Sequence, residues 1–189
     1  SPNVLVFTDE NGDDIPEKKD ILFKTIGGLQ NDHGVHAIVF GADGKLYFSF
    51  GNYVEGLLDA KNQPIKDIHG RVIKSTPGVF QDGMVIRCDV DAKNFEVLGS
   101  NFRNNYEICI DSYGRMWQSD NDDDGVRSNR IIYVLPYGNY GYKDEMTGAD
   151  WRAYRTNKED SVYSQHWHQN DPGVVPNLKI LGAGSPSGI

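Results

Sequence analysis

Short stretches of alternating apolar and polar residues run through the chain, and Gly, Asp and Asn separate them. A period of two with turn residues at both ends is typical of β-strands. The pattern predicts strands at residues 4–7, 22–26, 37–40, 45–50, 71–74, 84–90, 95–98, 106–110, 115–119 and 130–135. No stretch keeps a helical period, although 52–60 and 149–158 are each expected to form a helical turn or two.

One stretch occurs twice. Residues 38–47 (IVFGADGKLY) and 108–117 (ICIDSYGRMW) share a strand, a turn closed by glycine, a basic residue, an apolar residue and an aromatic residue. Gly44 and Gly114 supply the positive φ that a short hairpin needs. Hairpins that recur at one period predict a repeat architecture, and for antiparallel sheets the usual one is a β-propeller.

The length of the chain limits how much of a propeller it holds. If one blade with its insertions takes about 60–70 residues, the 189 residues form about three blades. We therefore predict an all-β fold, a partial β-propeller of four-stranded antiparallel blades, with residues 1–189 a fragment of one domain. Polar and aromatic residues at 145–180 predict a long irregular loop within it.

Three blades cannot close a ring, so their outer faces need a cover. Large apolar faces and sheet edges are rarely left in water. We expect the remaining blades of the same protein, or another polypeptide, to cover them.

Composition excludes some functions. Lys and Arg number 19 and Asp and Glu 27, a net charge of −8, which argues against nucleic acid as a partner. No apolar run is long enough to span a bilayer. The two cysteines, Cys88 and Cys109, lack the spacing of a zinc or haem motif, and buried thiols or a disulfide between neighbouring strands are both compatible with their positions.

Two polar segments precede the strands of the repeated hairpin. His33 lies before the first, and a histidine there can act as a general base near working pH. Arg103 and Asn104 lie before the second, where a guanidinium and an amide can bind a carboxylate. Their equivalent positions predict that these residues lie at one end of the ring. A surface histidine and a loop bound to neighbouring carbonyls are the plain structural alternatives.

Acidic residues follow the second hairpin. Asp120, Asp122, Asp123 and Asp124 form a dense group of oxygens, the ligand type that Ca²⁺ prefers. Arg127 and Arg130 would also offset this charge, so a solvated acidic loop is equally compatible with the pattern.

Two further segments carry weaker signals. Residues 9–20 place oxygen donors as in an EF-hand loop, but Asp14 stands where that loop needs glycine, so a polar hairpin turn is favoured. His166 and His168 lie in the polar aromatic region without an obvious third ligand, which favours an ordinary loop.

Several segments together resemble a known family. Residues 33–47 (HGVHAIVFGADGKLY), 102–104 (FRN) and 139–142 (NYGY) resemble motifs of the soluble quinoprotein sugar dehydrogenases, six-bladed propellers that use pyrroloquinoline quinone (PQQ) and Ca²⁺. The chain is still more similar to the "membrane-bound dehydrogenase" propellers of Planctomycetes and Bacteroidetes. That similarity is carried by residues 118–125 (QSDNDDDG), 137–141 (YGNYG), 144–148 (DEMTG) and 171–177 (DPGVVPN).

The resemblance implies a PQQ- and calcium-dependent dehydrogenase that oxidises a sugar or another alcohol. His33 would be the catalytic base, Arg103 and Asn104 would bind the quinone, and the acidic segment would bind calcium. The family segment there is a Gly-Pro turn rather than an acidic run, and His36 is an additional histidine. The resemblance also implies a periplasmic or extracellular location and a c-type haem on a separate domain.

Two other functions compete with this interpretation. A calcium-dependent propeller lactonase or hydrolase would use the ion to polarise a carbonyl. A propeller without a cofactor would serve as a scaffold for binding a glycan or a protein.

Overall fold

The structure is a computed structural model that describes residues 3–28, 31–122 and 127–189. Strands supply nearly all of its regular structure, and their bounds are Asn3–Thr8 (β1), Lys18–Gly27 (β2), Val35–Phe40 (β3), Leu46–Phe50 (β4), Val54–Leu58 (β5), Gly83–Cys88 (β6), Glu96–Phe102 (β7), Asn104–Ile110 (β8), Met116–Asn121 (β9), Asn129–Val134 (β10), Gly138–Asn139 (β11) and Lys179–Gly182 (β12). A 3₁₀ turn at Asn31–His33 and a helix at Val162–Gln165 (α1) complete the described elements.

The described strands form three sheets. The middle sheet is a four-stranded antiparallel blade, β3-β4-β6-β7, and β11 pairs in parallel with the outer side of β7. The last sheet is a second antiparallel blade, β8-β9-β10-β12, and the first sheet is β1-β2-β5. The predicted all-β partial propeller is confirmed, although the first sheet has three described strands rather than four.

The repeated hairpins have matching geometry. In β3-β4 and β8-β9 the turn glycines Gly44 and Gly114 have φ of 75° and 78°. Each turn closes with the same hydrogen bonds, Gly41 N to Lys45 O at 2.9 Å and Asp111 N to Arg115 O at 3.0 Å. This confirms the predicted hairpins. We call this edge of the two blades the hairpin end, and the opposite edge, where β3 and β8 begin, the loop end.

Three sequence expectations were wrong. Residues 52–60 contain the strand β5 instead of a helical turn, because Val54 and Gly56 face the interior while Glu55 faces solvent. Residues 149–158 form turns, and the short helix α1 follows them. Residues 71–74 form isolated bridges rather than a strand, with Ile73 hydrogen-bonded to Leu57 and Ile65.

The apolar core lies on both faces of the middle sheet. Phe48 and Phe50 of β4 pack towards the first sheet, where the rings of Phe48 and Phe23 lie 4.9 Å apart. Tyr47 points the other way and joins Ile108 of the last sheet in a second cluster. Alternating side chains therefore fix how neighbouring blades pack, and this packing brings the starts of β3 and β8 together.

The inner strand β3 exposes apolar side chains, since Phe40 is 74 % exposed. Between β11 and β12 the chain is irregular apart from α1. None of the helices in the described ranges is long and apolar enough to cross a membrane.

Candidate functional site

His33 lies at the loop end, in the 3₁₀ turn just before β3. Its side chain is buried, and its Nδ1 lies 2.6 Å from Oδ1 of Asn52, in the segment after β4. An amide oxygen can only accept a hydrogen bond, so the proton of the neutral imidazole is on Nδ1 and Nε2 keeps its lone pair. The ring also packs against Tyr53, with centroids 4.5 Å apart. His33 is therefore held in the tautomer that a general base at Nε2 requires.

Asn104, the first residue of β8, connects the two blades. Its Nδ2 donates to the carbonyl of Asp32 at 2.9 Å, which orients the amide so that its Oδ1 accepts from His36 Nε2 at 3.0 Å. The His36 ring stacks on Tyr106 at 4.1 Å, and burial lowers its pKa. His36 thus serves as a buried contact between blades, with its Nε2 proton committed to Asn104.

Arg103 joins the same group of residues. Its carbonyl accepts a hydrogen bond from the backbone N–H of Asn52 at 2.7 Å, and Asn52 is the residue that binds His33. The Arg103 Nη1 donates to Oδ1 of Asn121 at 3.0 Å and lies 3.4 Å from its carbonyl oxygen. Asn52 therefore links the His33 ring to the Arg103 backbone, and Asn104 binds Asp32, the residue before His33. The Arg103 side chain extends to Asn121.

Asp120 lies directly behind Arg103 and Asn104, with a side chain that is 0 % exposed. Its Oδ1 accepts the backbone N–H of Asn104 at 2.9 Å, and its Oδ2 accepts that of Arg103 at 3.3 Å. The same Oδ2 lies 2.7 Å from Nη2 of Arg130 and 3.2 Å from its Nε.

Arg130 is itself buried and fixed from several sides. Its Nη1 donates to the carbonyl of Tyr140 at 2.7 Å and to Oδ1 of Asn177 at 2.9 Å. The guanidinium lies 3.6 Å from the centre of the Trp167 ring, a cation–π contact in a desolvated position.

The acidic segment after β9 is only partly described. Asp123 and Asp124 lie outside the described residues. Asp122 is buried, and its Oδ2 accepts from the hydroxyl of Ser128 and lies 2.5 Å from Nδ1 of His166. Asp120 and Asp122 therefore both bind side chains of the protein.

Sequence reasoning did not identify Asn52 or the role of the loop between β11 and β12. Asn52 fell in a segment predicted to be helical, and only its position directly after the buried strand β4 could have drawn attention to it. His166 and Trp167 were assigned to an ordinary loop, yet both are fully buried and contact Asp122 and Arg130. The available signal in the sequence was that two aromatic rings stand next to each other in an otherwise polar region.

The segment between β1 and β2 forms the polar hairpin turn that its sequence favours. The exposed carboxylates of Asp9, Asp13 and Glu17 lie within 4.8 Å of one another. The side-chain amide of Asn11 donates to Asp13 at 3.3 Å and to Glu17 at 2.6 Å. Hydrogen bonds within the turn thus account for this arrangement.

A cavity between the blades lies apart from the group around His33. It has a volume of about 570 Å³ and lies between the two blades at the hairpin end. Its charged groups bind each other, since Arg87 lies 2.8 Å from both carboxylate oxygens of Glu96 and the hydroxyl of Tyr47 donates to Asp43 at 2.8 Å. We therefore place the candidate site at the loop end, where buried polar groups of different chemistry meet.

The PQQ-bound form of an aldose sugar dehydrogenase from Streptomyces coelicolor matches 90 % of this chain with 17 % sequence identity and a TM-score of 0.54. At that identity the likeness shows the propeller fold alone. The chain spans 42 % of the length of that dehydrogenase. No curated protein matches the sequence.

A family profile matches most of the chain. It covers residues 1–170 and is described as "Domain of unknown function (DUF7133)". Because this match covers most of the 189 residues, the chain belongs to the DUF7133 family.

Proposed function

We propose that this chain forms part of a PQQ-dependent dehydrogenase that oxidises a sugar or another alcohol. The observation that carries the proposal is that Asn52 binds both His33 Nδ1 and the backbone carbonyl of Arg103, next to the buried Asn104. The fold shared with a PQQ-bound sugar dehydrogenase supports it.

The side chains suit such a cofactor chemically. Pyrroloquinoline quinone, when bound, supplies an acceptor for the hydride that leaves the alcohol carbon. Its oxygens are anionic or electron-rich, and the Arg103 guanidinium and the Asn104 amide are donors that match them. Arg103 would hold the cofactor and stabilise negative charge that develops on it. Asn104 would add an orienting hydrogen bond through the second N–H of its Nδ2, since the first donates to Asp32.

His33 would take the proton of the substrate hydroxyl at Nε2. In the neutral ring, Asn52 directs the proton to Nδ1 by accepting it at 2.6 Å, which leaves the lone pair on Nε2. General base catalysis of this kind contributes about 10²- to 10⁴-fold in rate. His36 is a poorer candidate for the base because its Nε2 is bound to Asn104.

Calcium fits the described residues less well than the quinone does. Asp120 is paired with Arg130, and Asp122 is bound to Ser128 and His166. We therefore derive no step through a metal ion. A role of Ca²⁺, a periplasmic or extracellular location and a haem domain are expectations that rest on the family resemblance. The same holds for further blades that cover the apolar side chains exposed on β3.

The test is oxidation by the full-length protein with PQQ, with and without Ca²⁺, and an artificial dye as electron acceptor. We expect dye reduction with a panel of sugars and alcohols, and a loss of about 10²- to 10⁴-fold in His33→Ala. Asn52→Ala should lower kcat and alter its pH profile, because the tautomer of His33 is no longer fixed. The exposed His69→Ala is the matched control and should keep full activity.

Three results would change the proposal. If PQQ does not bind the wild-type protein, the interpretation as a cofactor-free binding scaffold is favoured instead. If PQQ binds and His33→Ala retains full activity, His33 is not the base and His36 becomes the candidate. If the protein hydrolyses lactones without PQQ, the hydrolase interpretation replaces the dehydrogenase.

A further inference from the structure

We propose that Asp120 is a positioning residue that fixes Arg103 and Asn104, and that it is not a calcium ligand. The inference rests on the proposed function, because it assigns these two residues to cofactor binding. It also revises the calcium-binding role that the family resemblance implies for Asp120.

The Asp120 carboxylate already binds four N–H groups. Two are the consecutive backbone amides of Arg103 and Asn104, at 3.3 and 2.9 Å, and two belong to Arg130, at 3.2 and 2.7 Å. An ionised carboxylate has about four lone-pair positions. Three of these donors are on Oδ2 and one is on Oδ1, and a cation at Asp120 would lie close to a fixed guanidinium, which repels it.

The two backbone bonds matter because the strand pairing is irregular at this place. The register between β8 and β9 shifts between Asn105 and Ile108, so only Asn104 and Asn105 pair with β9 on this side of the shift. Binding two successive N–H groups to one carboxylate fixes the peptide planes of Arg103 and Asn104. Their side chains then leave in different directions, Arg103 towards Asn121 and Asn104 towards Asp32 and His36.

Asp120 can perform this role because Arg130 fixes its carboxylate. Arg130 binds Tyr140, Asn177 and the face of Trp167 in addition to Asp120. Three separate parts of the chain thus fix one guanidinium, and the guanidinium fixes the carboxylate. Precise placement of a charged group in this manner is what binding a planar, multiply charged cofactor requires.

The test compares Asp120→Asn with Asp67→Asn in the full-length protein. Asp67 is the matched control, since it is also buried, accepts the backbone N–H groups of His69 and Arg71, and pairs with the Arg71 side chain. The amide proton shifts of Arg103 and Asn104, the affinity for PQQ and the affinity for Ca²⁺ are each measured. The amide shifts require no cofactor.

We expect Asp120→Asn to move both amide signals upfield and to weaken PQQ binding by about 10- to 100-fold, the typical effect of losing a charge-assisted hydrogen bond. Calcium affinity should stay unchanged. Asp67→Asn should leave all three measurements at the wild-type values. Reduced calcium affinity in Asp120→Asn, or unmoved amide signals, would overturn the inference.

A second measurement does not depend on the folding of a variant. In wild-type protein with ¹³C-labelled aspartate, adding Ca²⁺ should leave the Asp120 carboxylate signal unmoved, whereas a ligand's signal would shift. A shift would overturn the inference. If wild-type protein fails to bind PQQ while the amide and carboxylate results hold, the proposed function fails and Asp120 still fixes the start of β8.

Discussion

The two ends of the blades use the same residue types in different ways. At the hairpin end, polar contacts join neighbours in sequence, such as Asp111 with Arg115 and Tyr47 with Asp43, each four positions apart. At the loop end, Asn104 binds His36 and Asp32, which are 68 and 72 positions away. The hairpin end can therefore form within one blade, whereas the loop end exists only when two blades are packed together.

Two aspartate–arginine pairs show the same contrast. Asp111 and Arg115 form a pair at the hairpin end in which the arginine side chain is 55 % exposed. Asp120 and Arg130 form a pair at the loop end in which both side chains are 0 % exposed. Each aspartate also accepts two backbone N–H groups. Because the hydrogen-bonding chemistry of the two pairs is alike, burial alone should decide how much each pair contributes to the free energy of unfolding.

The largest expected effect comes from Arg130→Met. This change leaves the Asp120 carboxylate buried without its counter-charge, which costs about 3–5 kcal/mol of unfolding free energy. Urea denaturation measures it. Arg115→Met, the matched change at the hairpin end, should leave the denaturation midpoint within experimental error because water solvates both partners. Equal effects of the two changes would mean that burial does not separate the two pairs.

A second comparison replaces one glycine at each end with alanine. We expect a smaller difference in unfolding free energy between these two variants than between the two arginine variants. A Cβ at Gly51 would lie 2.5 Å from Oδ1 of Asn104 and 3.0 Å from the carbonyl of His33, so Gly51→Ala should cost about 1–3 kcal/mol by overpacking. It should also weaken PQQ binding by displacing Asn104. Thermal unfolding and PQQ titration measure these effects.

The matched change at the hairpin end is Gly44→Ala. A Cβ there meets no atom of the described residues within 4 Å, and only its φ of 75° is unfavourable. We expect a cost of about 1 kcal/mol and unchanged PQQ affinity. If Gly44→Ala weakened PQQ binding as much as Gly51→Ala, the two ends would not be independent.

The smallest expected effect is the dependence of the unfolding free energy on pH. Burial lowers the pKa of His36 below its ordinary value of about 6.5. At a pH between the folded and the ordinary pKa, this histidine is protonated in the unfolded chain and neutral in the folded chain. The unfolding free energy should therefore fall as pH drops below about 6.5, and level off below the folded pKa. Denaturation at several pH values measures this slope.

His36→Gln should flatten the slope, since glutamine does not titrate and can still donate to Asn104. Burial and nearby Arg155 also lower the pKa of His168, which adds a contribution of the same sign. His168→Gln should flatten the slope further when the two changes are combined. A slope that is unaffected by both changes would assign the pH dependence to other groups.

The features that sequence reasoning predicted well are those at the hairpin end. Gly44 and Gly114, the strands around them and the repeat of 70 positions are local in sequence, so alternation and turn chemistry were enough to identify them. The strand β5 was missed because Gly56 interrupts its alternation and its partner β2 is distant in the chain.

The loop end was predicted only in part. His33, Arg103 and Asn104 were identified as candidates from residue type and position before a strand. Asn52, which joins them, has no sequence pattern that separates it from any loop asparagine. For the acidic run after β9, Arg130 was named as a neighbour that offsets the charge, and it is the partner of Asp120. His166, the partner of Asp122, lies far along the chain and was not identified. Long-range pairing of this kind requires the packed structure.

The bonds of Asn104 also bear on the order in which the protein folds. Closing a loop costs entropy that grows as (3/2)RT ln n, so the 72-residue contact between Asp32 and Asn104 costs roughly 2–3 kcal/mol more than a four-residue turn. Hairpins form in about 1–10 μs. We expect the hairpins to appear early and the loop end to assemble after the blades dock, so that the candidate site forms last. A newly made chain would then have its sheets before it has its site.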